Sequence, residues 1–179
     1  MGNLSDIALA TRVAMFHDRK AFDQLVLMHQ AAVRKFFLAQ TLGDQALSDD
    51  LAQDTFLKAY THIGQFRATS RFSTWLFRIA YNVFYDHLRR SHPADDISHS
   101  AQALQRTGQM AGGLQMDLSQ ALAQLSEQER SCILLQLVEG YSQEEISQIS
   151  AMPLGTVKSH LSRGKSKLTN YLKANGYER

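Results

Sequence analysis

The stretch YSQEEISQISAMPLGTVKSHLSRGKSKLTNYL, residues 141–172, decides the fold of this chain. Ser142 can cap a short helix whose first turn carries two glutamates, and Met152 with Pro153 then breaks that helix. A second helical run restarts at Gly155, and its inward-facing apolar residues lie about one turn or a multiple apart: Val157, Leu161, Leu168 and Leu172. Two short helices joined by a tight turn predict a helix-turn-helix.

The open face of the second helix is basic and polar, with Lys158, Ser159, Arg163, Lys165 and Lys167. No acid occurs between residues 151 and 173, whereas six acids lie between residues 117 and 145. A phosphate backbone would attract only the basic side of such a unit. A basic helical face can also be merely solvated, so this pattern favours DNA binding without specifying a sequence.

Composition indicates a globular protein that is largely helical. The 179 residues allow one ordinary domain or two small ones, and they include only 2 prolines and 10 glycines. The single cysteine, Cys132, excludes an internal disulfide and is expected to be a small buried hydrophobe. No apolar run is long enough to cross a membrane and the N-terminus lacks a secretion signal, so we expect a cytoplasmic protein.

The first half of the chain shows the spacing of three helices before residue 65. They are predicted at residues 5–16, at residues 21–40, and from a Ser48 cap to about Gly64. The third of these carries acids in its first turns and four apolar residues, Leu51, Phe56, Leu57 and Tyr60.

Residues 71–90, RFSTWLFRIAYNVFYDHLRR, predict a fourth helix with two apolar faces. One stripe contains Phe72, Trp75, Leu76, Ile79, Ala80 and Val83, and the second contains Phe77, Tyr81, Phe84, Tyr85 and Leu88. A polar edge between them contains Arg71, Arg78, Asn82 and Arg89. Such a helix is either packed on both faces or uses one aromatic face for a partner, and aromatic rings beside arginines can stack unpaired bases.

Residues 93–116 are rich in Ser, Gln, Gly and Asp with little periodicity, which predicts a flexible linker. A helix is predicted next, over residues 118–125. Ser126 and Glu129 then form a capping box that starts another helix, which reaches Gly140. We therefore predict an all-α fold with two small helical domains, residues 1–92 and 117–179, the second of which contains the helix-turn-helix.

Catalytic and metal-binding patterns were not found. The seven histidines lack zinc-site spacing, and the chain contains no G-x-S-x-G elbow and no phosphate-binding glycine loop. We expect no metal and no cofactor, and a protein that is not an enzyme.

Two stretches together resemble the sigma-70 family of bacterial transcription initiation factors, in its compact extracytoplasmic-function (ECF) branch. DLAQDTFLKAY at residues 50–60 and FRATSRFSTWLFRIAYNVFYDHLRR at residues 66–90 are similar to the family's first domain. LSEQERSCILLQLVEGYSQEEISQISAMPLGTVKSHLSRGKSKL at residues 125–168 is similar to its last. The motifs occur in the order and with the gap that the family shows.

The resemblance implies three binding sites. The segment that docks on core RNA polymerase corresponds to Asp50, Gln53, Asp54, Phe56 and Lys58. The unwound minus-ten DNA element is expected at the loop of residues 66–71 and on the following helix, and its candidate residues are Phe66, Arg67, Arg71, Arg78 and Asn82. The minus-thirty-five duplex is expected at Thr156, Lys158, Ser159, Ser162, Arg163 and Lys165.

An anti-sigma protein is a further expected partner. Two other functions stay open at the level of sequence. An autonomous helix-turn-helix regulator should dimerise and bind palindromic duplex by itself, but the chain shows no dimerisation heptads. A helical adaptor that binds no nucleic acid would not depend on the basic face of the last helix.

Overall fold

The computed structural model describes residues 2–91 and 113–177, with side chains described over residues 4–91 and 118–177. These residues form helices joined by turns, and no strand occurs among them. The predicted all-α fold is confirmed. A search of the helices in these ranges found none with the length and apolarity that crossing a bilayer requires.

The N-terminal unit consists of four helices: α1 (Gly2–Phe16), α2 (Arg19–Gln40), α3 (Gln45–His62) and α4 (Phe72–Ser91). A single 3₁₀ turn, Ile63–Gln65, follows α3. The Asp18 side chain caps α2 by accepting a hydrogen bond from the Ala21 amide at 3.1 Å. The first apolar stripe of α4 forms the centre of this unit, since Phe72, Leu76 and Ala80 are buried.

The predicted cap of α3 was wrong. Asp44 caps the helix by accepting from the Leu47 amide at 3.0 Å, so α3 begins at Gln45. Ser48 lies inside the first turns and is fully buried, where its hydroxyl donates to the Asp44 carbonyl at 2.5 Å. Asp and Ser are comparable caps, and the aspartate comes first in a segment that already favours a helix.

The C-terminal unit begins with α5 (Gly113–Ala123) and continues with α6 (Glu127–Ile133), which runs on through a π-helical turn, Leu134–Val138. The first residues of α5 lie in the segment predicted as a linker, and residues 93–112 of that segment lie outside the described ranges. The predicted capping box of α6 is confirmed. The Ser126 side chain accepts a hydrogen bond from the backbone amide of Glu129, and the Glu129 side chain accepts one from the backbone amide of Ser126.

The helix-turn-helix is confirmed as α7 (Gln143–Ser150) and α8 (Leu154–Ala174). Ser142 caps α7 in a full capping box with Glu145. Ala151 ends α7 in the left-handed conformation, with φ 57°. The Ser150 hydroxyl accepts from the Met152 amide at 3.3 Å and so supports the turn.

The inner face of α8 is only partly as predicted. Val157 and Leu161 are buried and Leu168 is half-buried, but Leu172 is 40% exposed. The prediction for Leu172 was wrong because periodicity marks a helical face without showing where the partner helices end.

Cys132 is fully buried, as predicted.

Gly164 lets α8 approach α6 closely. A Cβ atom at this position would lie 2.8 Å from Cγ1 of Ile133, closer than such atoms pack. Glycine costs roughly 1 kcal/mol of helix propensity relative to alanine. The close contact explains why a glycine occurs in the middle of α8.

The two units pack against each other, α4 mainly on α7 and α2 on α6. Phe77 of the second α4 stripe meets the ring of Tyr141 with centroids 5.6 Å apart. Tyr81 and Phe84 of the same stripe are also buried. Of the two alternatives for α4, packing on both faces is therefore the one observed.

Replacing Gly164 with alanine is expected to destabilise the C-terminal unit by about 1–2 kcal/mol, because overpacking costs more than the helix propensity gained. Gly155→Ala is the matched control, since its Cβ would meet no atom within 4 Å in the same helix. Urea unfolding followed by circular dichroism measures both variants. Equal stabilisation by the two substitutions would contradict the close contact.

Candidate functional site

The outer face of α3 carries an exposed strip of Asp50, Gln53, Asp54 and Leu57. These residues are spaced i, i+3, i+4 and i+7, so they share one side of the helix. Leu57, one of the four apolar residues of the predicted helix, is 62% exposed. A large apolar side chain among exposed polar ones is typical of a protein-binding surface.

An apolar groove of about 810 Å³ lies beside this strip, between α2 and α3. Its lining includes Phe22, Val26, Gln53, Phe56, Leu57 and Tyr60. An ion pair closes one side, with Arg34 Nε 2.5 Å from Asp49 Oδ1. Lys58, a candidate docking residue, instead turns toward α4 and lies 3.4 Å from Asp86.

Three aromatic rings meet where the loop of residues 66–71 joins α4. The Phe66 ring centroid lies 5.5 Å from that of Phe72 and 5.6 Å from that of Trp75. Phe66 and Trp75 are half-buried, so part of each ring remains accessible. Ala68, in the same loop, has φ 55°, a left-handed conformation that costs a non-glycine residue about 1–2 kcal/mol.

The four residues of the predicted polar edge, Arg71, Arg78, Asn82 and Arg89, are all exposed, and so is Arg67 in the preceding loop. Arg71 forms an ion pair with Glu145 at 2.8 Å, whereas the side chains of Arg78 and Asn82 form no hydrogen bond or ion pair within the described ranges. Trp75 lies on the same helical face as these residues, and the sequence pattern missed it because a tryptophan at core spacing looks like packing. The six residues Phe66, Arg67, Arg71, Trp75, Arg78 and Asn82 form one surface where the family resemblance predicts the minus-ten strand, and we name it the minus-ten face after that prediction.

The outward face of α8 has a row of serines, Ser159, Ser162 and Ser166, all exposed. Lys158 and Lys165 flank this row on one side and Arg163 on the other, and these three residues are exposed as well. Thr156 is half-buried at the first turn of the helix. Short polar side chains between longer basic ones suit a surface that approaches a DNA groove while contacting phosphates at its borders.

Glu129 of α6 forms ion pairs with two basic residues of α8. Its side chain is 5% exposed and lies 2.7 Å from Lys167 Nζ and 3.5 Å from Arg163 Nε. Burial opposes its ionisation, but the hydrogen bonds from Lys167 and from the Ser126 amide outweigh burial and hold its pKa below the usual range. The carboxylate therefore orients one flank of the basic face.

Glu129→Gln is expected to lower the free energy of unfolding of the C-terminal unit by about 1–3 kcal/mol at pH 7. Glutamine keeps the capping box but removes the charge. Because the folded pKa lies below the ordinary value of 4.5, this difference is fully present above about pH 4.5 and disappears as the pH falls through the folded pKa.

Urea titrations at pH 7, 5, 4 and 3 measure the effect, with Glu144→Gln on the exposed side of α7 as control. A difference between Glu129→Gln and wild type that persists unchanged at pH 3 would refute the assignment.

The fold defines the class of protein: a helix-turn-helix protein that carries a second helical unit before the helix-turn-helix. A family model described as Sigma-70 region 2 matches residues 25–93, and one described as Sigma-70, region 4 matches residues 115–168. The chain belongs to the sigma-70 family, in its ECF branch, and is a transcription initiation factor of that type. An autonomous regulator is disfavoured, because both units match and not the helix-turn-helix alone.

Curated relatives cover nearly the whole chain. It is 31% identical to the RNA polymerase sigma-H factor of Pseudomonas aeruginosa over 170 residues, which cover 87% of this chain and 88% of the relative. It is 32% identical to the ECF RNA polymerase sigma-E factor of Salmonella typhimurium over 186 residues, which cover 93% of this chain and 94% of the relative.

Solved structures match both units. CnrH in complex with the cytosolic domain of CnrY superposes with a TM-score of 0.72 and 26% identity, over 96% of this chain and 99% of that one. The sigma factor RpoE of Bartonella quintana, in complex with the anti-sigma factor NepR, superposes with a TM-score of 0.68 and 31% identity, over 86% and 98% of the two chains.

Proposed function

We propose that this chain binds core RNA polymerase, holds the unwound minus-ten strand on its N-terminal unit and anchors on the minus-thirty-five duplex with α8. One observation carries this proposal beyond family membership. The minus-ten face combines accessible aromatic rings with Arg78 and Asn82, whose side chains have no polar partner in the parts of the chain that the structure describes. A protein that bound only duplex through α8 would have no use for such a face.

Polymerase docking is proposed on the α3 strip and the neighbouring groove. Asp50, Gln53 and Asp54 offer polar contacts and Leu57 offers exposed apolar surface, whereas Phe56 is buried and takes part by lining the groove. Lys58 acts there indirectly, since its ion pair with Asp86 ties α3 to α4. A partly apolar patch with a polar rim is the usual composition of a protein interface.

Capture of the minus-ten strand follows from the chemistry of an unstacked base. A base taken out of the duplex needs an aromatic surface for stacking and hydrogen bonds to its edge. Phe66 and Trp75 offer the rings, and Asn82 offers an amide that can both donate and accept. Arg67, Arg71 and Arg78 supply charge for the backbone of the strand.

Duplex binding is proposed on the outward face of α8. Ser159 and Ser162 can approach base edges, with Lys158 and Arg163 beside them. Thr156 and Lys165 lie where they can contact phosphates. The protein needs no cofactor and performs no covalent chemistry in this role, acts in the cytoplasm, and has an anti-sigma protein as a further partner, as RpoE of Bartonella quintana does.

Run-off transcription with purified core polymerase and a library of upstream regions tests the proposal. We expect transcripts that depend on this protein, and Leu57→Ser should reduce its affinity for core polymerase about tenfold, since burying a leucine contributes roughly 1.5–3 kcal/mol. Leu27→Ser is the matched control, because Leu27 is 68% exposed on α2 and does not line the groove. An absence of protein-dependent transcripts would refute the proposal.

Variants of the two proposed DNA sites should affect different steps of promoter binding. Asn82→Ala is expected to weaken open-complex formation about tenfold and to leave closed duplex binding unchanged, because the amide contacts only the unstacked base. Lys158→Glu with Arg163→Glu should instead abolish duplex binding. Permanganate footprinting and filter binding measure the two steps. Equal losses of both steps in Asn82→Ala would contradict base capture, and promoter activity unaffected by the charge reversals would favour an adaptor.

A further inference from the structure

Four polar side chains meet on the flank of α8 that faces α6. Glu129 Oε2 lies 2.7 Å from Lys167 Nζ, and Glu129 Oε1 lies 3.5 Å from Arg163 Nε. Arg163 Nη2 in turn lies 3.2 Å from Nδ1 of His160, which is half-buried about one turn away on the same helix. His160 thus contacts an arginine that is proposed to bind duplex DNA.

The contact between His160 and Arg163 determines the protonation state of the histidine. A guanidinium donates hydrogen bonds but cannot accept them, and it keeps its proton in proteins. Nδ1 of His160 must therefore accept the hydrogen bond from Arg163 Nη2, which requires a neutral ring with its proton on Nε2. This hydrogen bond exists only while His160 is neutral.

The surroundings of His160 favour the neutral ring. Burial is the main cause that lowers its pKa below the ordinary value of 6.5, and the charge of Arg163 lowers the pKa further, whereas Glu129 opposes the shift. Helices α5 and α7 also pack on α8, but no charged group of either helix contributes to the shift within the described ranges. His160 therefore accepts from Arg163 at neutral pH and gains a proton as the pH falls below 6.5.

Arg163 is held along one edge of its planar guanidinium. Nε–H and one Nη2–H share that edge, and they face Glu129 and His160. The opposite edge, formed by Nη1 and the second Nη2 hydrogen, makes no hydrogen bond to the residues that the structure describes. Two parallel N–H groups on such an edge match a pair of acceptors on a base. A long side chain that is 59% exposed is thus oriented before DNA binds.

Orientation of Arg163 before binding favours discrimination between bases. An unrestrained arginine loses conformational entropy when it is fixed on a base, and a preoriented arginine loses less. A restrained guanidinium is also less able to turn toward a phosphate when the base is wrong, and contacts to phosphates carry no sequence information. The partners of Arg163 therefore affect which duplex is preferred as well as how tightly it is bound.

Protonation of His160 would disrupt this arrangement. Nδ1 would become a donor, and the imidazolium would repel the guanidinium of Arg163. The added positive charge would at the same time strengthen the attraction of α8 to phosphates. Low pH should therefore raise the affinity for duplex of any sequence while it lowers the preference for one sequence.

We propose that His160 is a positioning residue for sequence recognition: its neutral ring, together with Glu129, holds Arg163 in the orientation in which it reads one base pair of the duplex. The inference rests on the proposed function of α8 and deepens it. It makes the sequence preference of the protein, and not only its affinity, depend on pH.

Selection from a library of randomised duplexes by the full chain bound to core polymerase, at pH 7.5, 6.5 and 5.5, tests the inference. Sequencing gives the preference at each base pair, and the base pair at which Arg163→Ala loses preference is the one that Arg163 reads. We expect the wild-type preference at that pair to fall about fivefold between pH 7.5 and 5.5, the usual effect of one hydrogen bond. Each preference is a ratio at one pH, so effects of pH on overall affinity cancel.

Two substitutions separate the acceptor of His160 from its ring. His160→Asn keeps an acceptor near the position of Nδ1 that does not titrate, so its preference should equal that of wild type at pH 7.5 and stay there at pH 5.5. His160→Phe keeps a ring but has no acceptor, so its preference should be low at every pH. His62→Asn, at an exposed position of α3, is the matched control and should keep the wild-type dependence on pH.

The tautomer of His160 can be measured without DNA. Nitrogen-15 NMR of the imidazole rings in the full chain, assigned with His160→Asn, should show a neutral His160 ring protonated at Nε2 at pH 7.5. A ring protonated at Nδ1 at that pH would overturn the inference, because it could not accept from Arg163. This spectrum needs only the wild type and His160→Asn, so it does not depend on the folding of His160→Phe.

The outcomes distinguish the inference from the proposed function. Three results would overturn the role of His160 and leave duplex binding by α8 intact: a wild-type preference that does not change with pH, a wild-type preference in His160→Phe at pH 7.5, or an Arg163→Ala variant that loses preference at no base pair. Selection of no duplex by the complex at any pH would overturn duplex binding by α8, and the role of His160 with it.

Discussion

Helix α4 has two apolar faces, and the need to bury both determines how the molecule is arranged. One face, around Phe72 and Leu76, forms the core of the N-terminal unit. The other face, around Phe77 and Tyr81, is also buried, and Phe77 packs against both Tyr141 of the C-terminal unit and Phe36 of α2. The polar edge between the faces stays in solvent on the same helix. The core, the interunit contact and three residues of the minus-ten face, Trp75, Arg78 and Asn82, thus share one helix.

The C-terminal unit is organised around the position of α8. Gly164 lets this helix lie close to α6, and Glu129 of α6 forms ion pairs with Arg163 and Lys167. A helix fixed on its inner side can present serines and lysines outward in a constant register. The same α6 carries Ser131 and Arg130 on the side that contacts the N-terminal unit, so the proposed duplex-binding surface and the interunit contact depend on one short helix.

Local signals in the sequence were reliable where a backbone group needs a side-chain partner. The capping box at Ser126, the cap at Ser142 and the break at Met152 and Pro153 could be predicted because their chemistry lies within a few residues. The cap of α3 was misplaced because Asp44 and Ser48 both suit the role. The family resemblance located candidate sites, and their roles stay predictions.

The spacing of apolar residues did not show which part of the structure, if any, covers a given apolar side chain. Leu172 fits the spacing of packed residues but is exposed, since spacing does not show where a neighbouring helix ends. The apolar character of Leu57 likewise did not show that this residue is exposed. The second stripe of α4 could be recognised as apolar, but not assigned to the C-terminal unit. The contacts that join the units, between Gln40 and Ser131 and between Arg71 and Glu145, connect residues 91 and 74 positions apart. No local pattern could reveal them.

Whether the two units bind separate promoter elements in the polymerase complex can be measured directly as one distance. Spin labels at Thr11→Cys and Gln128→Cys, both exposed and outside the proposed sites, in a Cys132→Ala background, report the separation of the units by pulsed electron paramagnetic resonance. We predict a longer distance with core polymerase and promoter DNA than in the free chain, where the units pack against each other, because the minus-ten face and α8 are proposed to bind different elements of the promoter. The same distance in both samples would contradict the proposed function.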